Sequence, residues 1–363
     1  MYRDMTVAVV VPAYNEEGFV GDVIADLPGF VDRAYVIDDG STDGTWAEIQ
    51  EYSEARNRSH DGHFGELVVP IRHEENRGVG GAIKTGYQHA VAEEIDATAV
   101  LGGDDQMDPA VLTQYLDPIA DGVAEYTKGN RFSRPEDWVE MPRFRLLGNV
   151  ILSYLTKIAS GYWKTMDSQN GYTAISLAAL ERTDIDGMYE YYGYCNDLLV
   201  RLNAADVRVA DVQRSSEYAY TEGWKSHIDY TEYIPRVSGM LFRSFLWRLR
   251  RKYLMTGYSP IAPLYVLGIL SSSISVLGLL KSLLDRDGES GTWMLSATVG
   301  TLTLLLATVL DHEDNDDLQT QVGSDDVRTD REEPTDESVT GDGRTDVVTG
   351  ADGALEGTMS MED

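Results

Sequence analysis

Four short apolar runs, each followed by a helical segment, constrain the fold of this chain more than any other feature. Thr6–Val11 is a nearly continuous β-branched run, as expected of a strand buried on both faces. Glu17–Leu27 then carries Val20, Val23, Ile24 and Leu27 at helical spacing. Ala34–Ile37 and Leu67–Ile71 read as further strands, followed by helices at 44–55 and 80–93, the latter with Ile83, Tyr87, Ala90 and Val91 on one face. Ala97–Leu101 gives a fourth strand and Pro109–Ile119 another helix. Strands alternating with helices imply crossover units, so the pattern predicts an α/β fold, a Rossmann-like, mostly parallel sheet flanked by helices. In such sheets ligands bind beyond the carboxyl ends of the strands, which directs attention to 12–17, 38–41 and 102–108.

The second half has a different character. Pro260–Leu280 and Thr292–Leu310 contain no charged residue, and 21 and 19 residues suffice to span a bilayer as helices. Asp285–Ser290 can form the turn between them. Val237–Leu254 interleaves Leu241, Phe242, Phe245, Leu246 and Leu249 with Arg243, Arg248, Arg250, Arg251 and Lys252. That mixture predicts a basic amphipathic helix lying on anionic headgroups. Basic residues before the first span place 1–255 on the cytoplasmic side, and an even number of spans returns the chain there. Met1–Asp4 runs straight into the first strand, a start without the features of a secretory leader.

Charge narrows the function classes. The chain has 61 acidic against 30 basic side chains, a formal charge of −31, which disfavours a nucleic-acid binder. Residues 311–363 hold 18 acidic and 3 basic residues and few large apolar ones, so they are predicted to be a disordered acidic tail. The acid excess, with only 7 lysines among the bases, suits a protein kept soluble in concentrated salt, as in a halophilic archaeon. A single cysteine, Cys195, excludes an intramolecular disulfide framework and a multi-cysteine metal site. The expected organisation is therefore 1–235 as the α/β domain, 236–258 as the interfacial helix, 259–310 as the two transmembrane helices and 311–363 as the tail.

The strand ends carry a signature. They read Pro12-Ala13-Tyr14-Asn15-Glu16-Glu17, Asp38-Asp39-Gly40-Ser41-Thr42-Asp43-Gly44-Thr45, Asn76-Arg77-Gly78-Val79-Gly80-Gly81-Ala82 and Gly102-Gly103-Asp104-Asp105-Gln106-Met107-Asp108-Pro109. In this order and spacing they resemble glycosyltransferase family 2, with its GT-A fold. Lys128-Gly129-Asn130-Arg131-Phe132, Pro142-Arg143-Phe144-Arg145 and Asp167-Ser168-Gln169-Asn170-Gly171-Tyr172 extend the likeness to dolichyl-phosphate hexose synthases and archaeal glycosyltransferases of lipid-linked oligosaccharides. A Rossmann dehydrogenase would instead carry Gly-x-Gly-x-x-Gly directly after the first strand, where this chain has Pro-Ala-Tyr-Asn-Glu.

The resemblance implies an inverting, membrane-anchored hexosyltransferase that uses a nucleotide-sugar donor, linked to UDP or GDP. Negative charge develops on the leaving diphosphate, so a divalent Mg2+ or Mn2+ beside it stabilises the transition state. The family's Asp-x-Asp-x-Gln falls here on Gly102, Asp104 and Gln106, which leaves Asp104 and Gln106 as metal ligands and one carboxylate missing. Pro12, Tyr14, Glu16, Ile37, Asp39, Gly103, Asp104 and, in a later segment, Lys225 are the implied nucleotide-sugar contacts. Arg131 and Arg145 match arginines placed near donor and acceptor phosphates, and Asp167 and Gln169 shape the acceptor cleft. Asp197 stands at a fork. An ionised phosphate acceptor, dolichyl or polyprenyl phosphate, needs no base, whereas a hydroxyl on a dolichol-linked oligosaccharide needs one, and Asp197 is the candidate. A membrane protein that binds nucleotide sugar without turnover is the non-enzymatic alternative, resting on Gly102.

Overall fold

The computed structural model describes residues 1–131, 143–213, 230–257, 259–285 and 290–322. Strand β1 (Val7–Ala13) pairs in parallel with β2 (Arg33–Asp38) on one side and β4 (Ala97–Val100) on the other, and β2 pairs with β3 (Val68–Arg72). Beyond β4 the sheet continues through β6 (Thr173–Ser176), β5 (Tyr126–Asn130), β7 (Val209–Gln213) and β8 (Gln319–Val322). Among the described residues this makes eight strands in the order β3-β2-β1-β4-β6-β5-β7-β8, with β6 antiparallel to both neighbours.

The β-branched run of β1 has the role its composition predicts. Val7, Val9 and Val11 enter one core with Val36, Val68 and Ala99, under α1 (Val20–Ala25), α2 (Thr45–Arg58) and α4 (Leu112–Ala120). Ala8 and Val10 enter the opposite core with Tyr35 and Ile37. There α3 (Val79–Ala92), α6 (Leu177–Arg182) and α7 (Tyr194–Ala204) cover the sheet. Alternate side chains on the two faces are a consequence of the strand period of two.

A third core joins α5 (Arg143–Ser160), α8 (Tyr230–Arg250), α9 (Ile261–Asp285) and α10 (Ser290–Asp314). Helices α9 and α10 are each long and apolar enough to cross a membrane, with mean hydropathy 1.8 over Ile261–Ser282 and Gly291–Asp314. Their apolar side chains mostly face outward, unlike those of a soluble core helix: Leu277 and Leu295 are each 67% exposed.

Two boundaries differ from the sequence prediction. Helix α8 starts at Tyr230, inside the expected α/β domain, and buries Leu241, Phe245 and Leu249 against the protein while Phe242 and Leu246 stay exposed. Of its basic residues and those just after it, Arg243, Arg250 and Arg251 are exposed, but Arg248 and Lys252 are buried and paired, so they do not face headgroups. The chain from 311 is not tail at all as far as Val322: α10 runs to Asp314 and β8 joins the sheet edge beside β7. The hydrophobic pattern missed this because Asp311 and Asn315 are polar residues buried by partners that lie far away in sequence.

Those partners form one network. Arg248 donates to Asp311 through Nη2 at 2.7 Å and Nη1 at 3.0 Å, and Nη1 also reaches Asn203 Oδ1 at 3.0 Å. Tyr253 donates its hydroxyl to Asp311 at 2.6 Å. Lys252 donates to Asp206 at 2.6 Å and to Asn315 Oδ1 at 2.8 Å. Arg248 and Asp311 are both wholly shielded from water. Removing one partner from such a pair strands the other charge, so Asp311→Ala should destabilise the protein by about 3–5 kcal/mol. Replacing Arg248 and Asp311 together with apolar residues should cost less than either single change. Thermal melting in detergent checks the order of the three variants.

Candidate active site

The register of the central strands sets the site. Ala13 of β1 pairs with Asp38 of β2, and the Gly103 amide donates to the Pro12 carbonyl at 3.2 Å, so three strand ends meet at one edge. The two loops beyond β1 and β2 are tied together. The Asn15 amide donates to Ser41 Oγ at 2.9 Å, the Thr42 amide to Asn15 Oδ1 at 2.9 Å, and the Glu16 amide to Thr45 Oγ1 at 2.8 Å. Asn15 takes a left-handed conformation (φ +56°), which turns the chain from β1 toward α2.

The adjacent aspartates have different tasks. Asp38 is buried and accepts the Ser41 amide at 2.9 Å, a turn-capping role. Asp39, also buried, receives His73 Nδ1 at 2.6 Å and the Arg77 amide at 2.9 Å, both on Oδ1. Its other oxygen, Oδ2, accepts no side-chain or amide bond among the described residues. His73 in turn meets Thr85 Oγ1 at 3.0 Å through Nε2. Nothing in the sequence singles out His73, since only the β2–β3 pairing carries it under Asp39. Ile37 is part of the core below the edge, so its side chain does not reach the site. Tyr14 is 44% exposed there and Pro12 is half-buried.

Asp104 folds back over the backbone of residue 102. A Cβ at Gly102 would lie 2.6 Å from Asp104 Oδ1, so the family's missing first aspartate leaves room that the second one occupies. Asp104 Oδ1 also accepts the Gln106 amide at 3.3 Å. Glu16 is close enough for charge repulsion. Burial, then Asp104 and Asp43, push its carboxyl up to about 7. Among the described residues no group of three His, Cys, Asp or Glu side chains is placed to hold a metal ion by itself. The raised Glu16 carboxyl beside Asp104 marks this edge as strongly acidic.

A loop across the edge adds residues that the sequence reading passed over. The Gly81 amide donates to the Glu190 carbonyl at 3.0 Å, and Lys84 donates to Glu190 Oε1 at 2.7 Å. A Cβ at Gly80 would meet the Tyr189 carbonyl at 2.4 Å, so glycine there is what lets the loop lie on the first turn of α3. Tyr192, exposed on this loop, has its hydroxyl pKa raised by burial and then by Glu16 and Asp104.

On the other side of the Asp104 loop, Tyr172 stacks on Tyr115 with centroids 4.1 Å apart and donates its hydroxyl to the Asp108 carbonyl at 3.0 Å. Asp108 caps the short turn at Pro109–Val111 through the Ala110 amide. Asp167 grips Arg131 as a fork: Nε to Oδ2 at 2.7 Å and Nη2 to Oδ1 at 2.8 Å. Burial raises the Asp167 carboxyl, but the Arg131 guanidinium outweighs it, and the net pKa is lowered. Gln169 donates to the Tyr233 hydroxyl at 2.6 Å. The side chain of Arg145, in the first turn of α5, and all of Lys225 lie outside the described residues.

Asp197 is held where the loop carrying Tyr189 meets α7. It is buried at the start of α7, where Oδ2 accepts the Tyr189 amide at 2.9 Å and Arg201 Nε at 2.7 Å, and Oδ1 accepts Ser244 Oγ at 2.5 Å. With Arg201, Arg236 and Arg243 it lines a cavity of about 440 Å3 between α7 and α8. Its carboxylate is occupied by donors from three elements, an arrangement suited to fixing α8 onto α7.

A parallel sheet whose strand ends gather acidic and glycine-rich loops, with a reversed strand completing it, is the GT-A form of the α/β fold. Residues 8–183 match the model of glycosyl transferase family 2, and the chain belongs to that family. It is similar to a UDP-N-acetylglucosamine–dolichyl-phosphate N-acetylglucosaminyltransferase of Methanococcus voltae, 31% identical over 229 residues, which are 61% of this chain and 90% of that one. A dolichyl-phosphate hexose transferase of Haloferax volcanii is 29% identical over 217 residues, 58% of this chain and 84% of that one. Among solved structures, glucosyl-3-phosphoglycerate synthase of Mycobacterium tuberculosis aligns at 20% identity over 68% of this chain and 80% of that one, with a TM-score of 0.44.

The raised carboxyl of Glu16 has a signed consequence for stability. A carboxyl lifted in the folded state costs stability as pH rises from 4.5 through about 7, because the unfolded chain ionises first. With metal chelated and donor absent, Glu16→Gln should melt about 2 °C above the wild type near pH 8, and the two should converge below pH 4.5. Melting curves across that range check it. A gap that widened toward acid would reverse the assignment.

Proposed function

We propose that this family 2 glycosyltransferase moves a hexose or related sugar from a nucleotide-linked donor to dolichyl or another polyprenyl phosphate at a membrane surface, with inversion at the anomeric carbon, for protein glycosylation. The observation that carries the reading is the contrast between Asp197 and Arg131. The one acid suggested as a base for a hydroxyl acceptor is buried and bonded to Tyr189, Arg201 and Ser244. Arg131 is held in a fixed orientation by Asp167, which takes its Nε–Nη2 fork, at a position where the resemblance places an arginine near donor and acceptor phosphates. A phosphate oxygen is already ionised and attacks without a base, so the occupied Asp197 is no obstacle. The names of the relatives in Methanococcus voltae and Haloferax volcanii agree with this acceptor. Extension of a dolichol-linked oligosaccharide is the second reading, and it requires Asp197 to leave its partners.

In this scheme the donor's nucleoside lies across the β1 and β2 ends, against Pro12, Tyr14 and the unbonded oxygen of Asp39. Asp104, with the Gln106 side chain, would hold Mg2+ or Mn2+, which neutralises charge gained by the leaving diphosphate. Glu16 is then the neighbouring carboxylate that makes up for Gly102. Arg131 brings the anionic acceptor toward an anionic donor against their repulsion. Lys225 and Arg145 remain assigned to donor and phosphate by family resemblance.

The hairpin supports placement at a membrane. Because β8 pairs with β7, the chain before α9 and after α10 belongs to one sheet, so helices that cross a bilayer must cross it twice. Exposed Arg243, Arg250 and Arg251 favour the cytoplasmic side for that sheet, where nucleotide sugars are made. Exposed Ile151, Tyr154, Leu155 and Ile158 on α5 and Phe242 and Leu246 on α8 extend the apolar surface next to the hairpin.

The test offers the protein in membranes a labelled nucleotide sugar with either prenyl phosphate or a lipid-linked saccharide, followed by mass spectrometry. A prenyl-phosphate monosaccharide is the expected product. Asp104→Ala should lower turnover by about 10²–10³ without changing the melting temperature. Asp197→Asn should melt earlier than the wild type yet form the same product. A lipid-linked disaccharide that disappears in Asp197→Asn would establish the second reading instead.

A further inference from the structure

The strand that follows the membrane hairpin does more than cap a sheet edge. Gln319, at its start, is buried, and its Oε1 accepts the Lys164 amide at 2.6 Å. Gln321 Nε2 donates to the Lys164 carbonyl at 3.1 Å. The peptide groups of Lys164 are thus held on both sides by β8. Two residues on, the Met166 amide donates to Asp211 Oδ2 at 2.7 Å, and Lys128 donates to the Met166 carbonyl. Lys128 and Asp211 are register partners on β5 and β7 and form a buried ion pair at 2.9 Å. The turn so clamped delivers Asp167, whose backbone is left-handed (φ +49°) and whose carboxylate holds Arg131.

We infer that β8 is a positioning element for the acceptor cleft, acting through Gln319 and Gln321 on the 164–167 turn and through Asp167 on Arg131. The inference rests on the reading of Arg131 and Asp167 as acceptor-side groups. Its physical basis is an unbroken run of direct bonds from the membrane helix to that arginine. Asp311 of α10 binds Arg248, Asn315 binds Lys252, and the Gln319 side chain donates to the Asn315 carbonyl at 3.3 Å while accepting from Lys164. Aspartate takes the left-handed conformation more readily than most residues, but a loop alone does not fix where its carboxylate points. Here neighbouring strands determine it, and one of them is tethered to the bilayer anchor. Depth of the lipid acceptor and position of the arginine that meets its phosphate are then set by the same segment. Gln319 and Gln321 touch no reacting atom, so they are positioning residues.

The experiment uses the full chain reconstituted in lipid nanodiscs, with whichever acceptor the wild type glycosylates, prenyl phosphate or lipid-linked saccharide. Gln319→Ala should raise the acceptor KM about five- to tenfold while leaving the nucleotide-sugar KM within about twofold. Gln319→Glu, which keeps an acceptor for the Lys164 amide but loses the donor to the Asn315 carbonyl, should fall between Gln319→Ala and the wild type. Gln321→Ala, at a solvated bond, should give a smaller change in the same direction. An unchanged acceptor KM in Gln319→Ala would overturn the inference. So would parallel changes in both KM values and in melting temperature without rescue by Gln319→Glu, the outcome for a purely structural strand. Failure of the wild type to use prenyl phosphate counts against the acceptor proposed above, and it is seen before any variant is made.

Discussion

Parallel pairing of β1 with β2 and β4 is the constraint on which the rest of the molecule depends. Val7–Val11 are buried on both faces, so this strand cannot slip by one residue without exchanging its two cores. That fixed register brings Ala13, Asp38 and Gly103 to one edge. The loops beyond it then have nowhere to go except against one another. Asn15 with Thr42, Asp39 with His73 and Asp104 with Glu16 are consequences of this meeting.

Acidic groups are handled in two ways among the described residues. At the strand ends burial, with the Asp104 and Asp43 charges nearby, raises the Glu16 carboxyl. Elsewhere three buried acids each pair with a cation: Asp167 with Arg131, Asp211 with Lys128, and Asp197 with Arg201. Buried pairs like these add little net stability but fix orientation, because breaking one is costly. An acid-rich chain with few lysines has spent its scarce buried cations where geometry matters.

The hairpin is joined to the catalytic sheet by chemistry that its own hydrophobicity does not reveal. Arg248 and Asp311 meet outside water, and Lys252 and Asn315 extend the contact. Phe245 packs edge-on to Tyr265 at 5.1 Å, which brings α8 and α9 together in the same core. The catalytic unit and its anchor therefore share one packed interior in place of a flexible linker.

Sequence by itself determined the parallel sheet, the strand ends where the site lies and the two apolar helices. Each is written in local periodicity: β-branched runs for buried strands, a 3.6-residue spacing for helices, and 19 or more residues without charge for α9 and α10. Family motifs likewise pointed to Asp39, Asp104 and Arg131 as candidates. What only the tertiary structure decided depends on partners distant in the chain. His73 reaches Asp39 across 34 residues, Arg248 reaches Asp311 across 63, and Gln319 reaches Lys164 across 155. The resemblance made Asp197 the candidate base for a hydroxyl acceptor, and only packing shows its oxygens bonded to Tyr189, Arg201 and Ser244. Residues 311–322 looked like tail for a similar reason. A polar residue is assigned to solvent from sequence unless its partner is visible, and here the partners become neighbours only after the sheet and the hairpin have closed on each other.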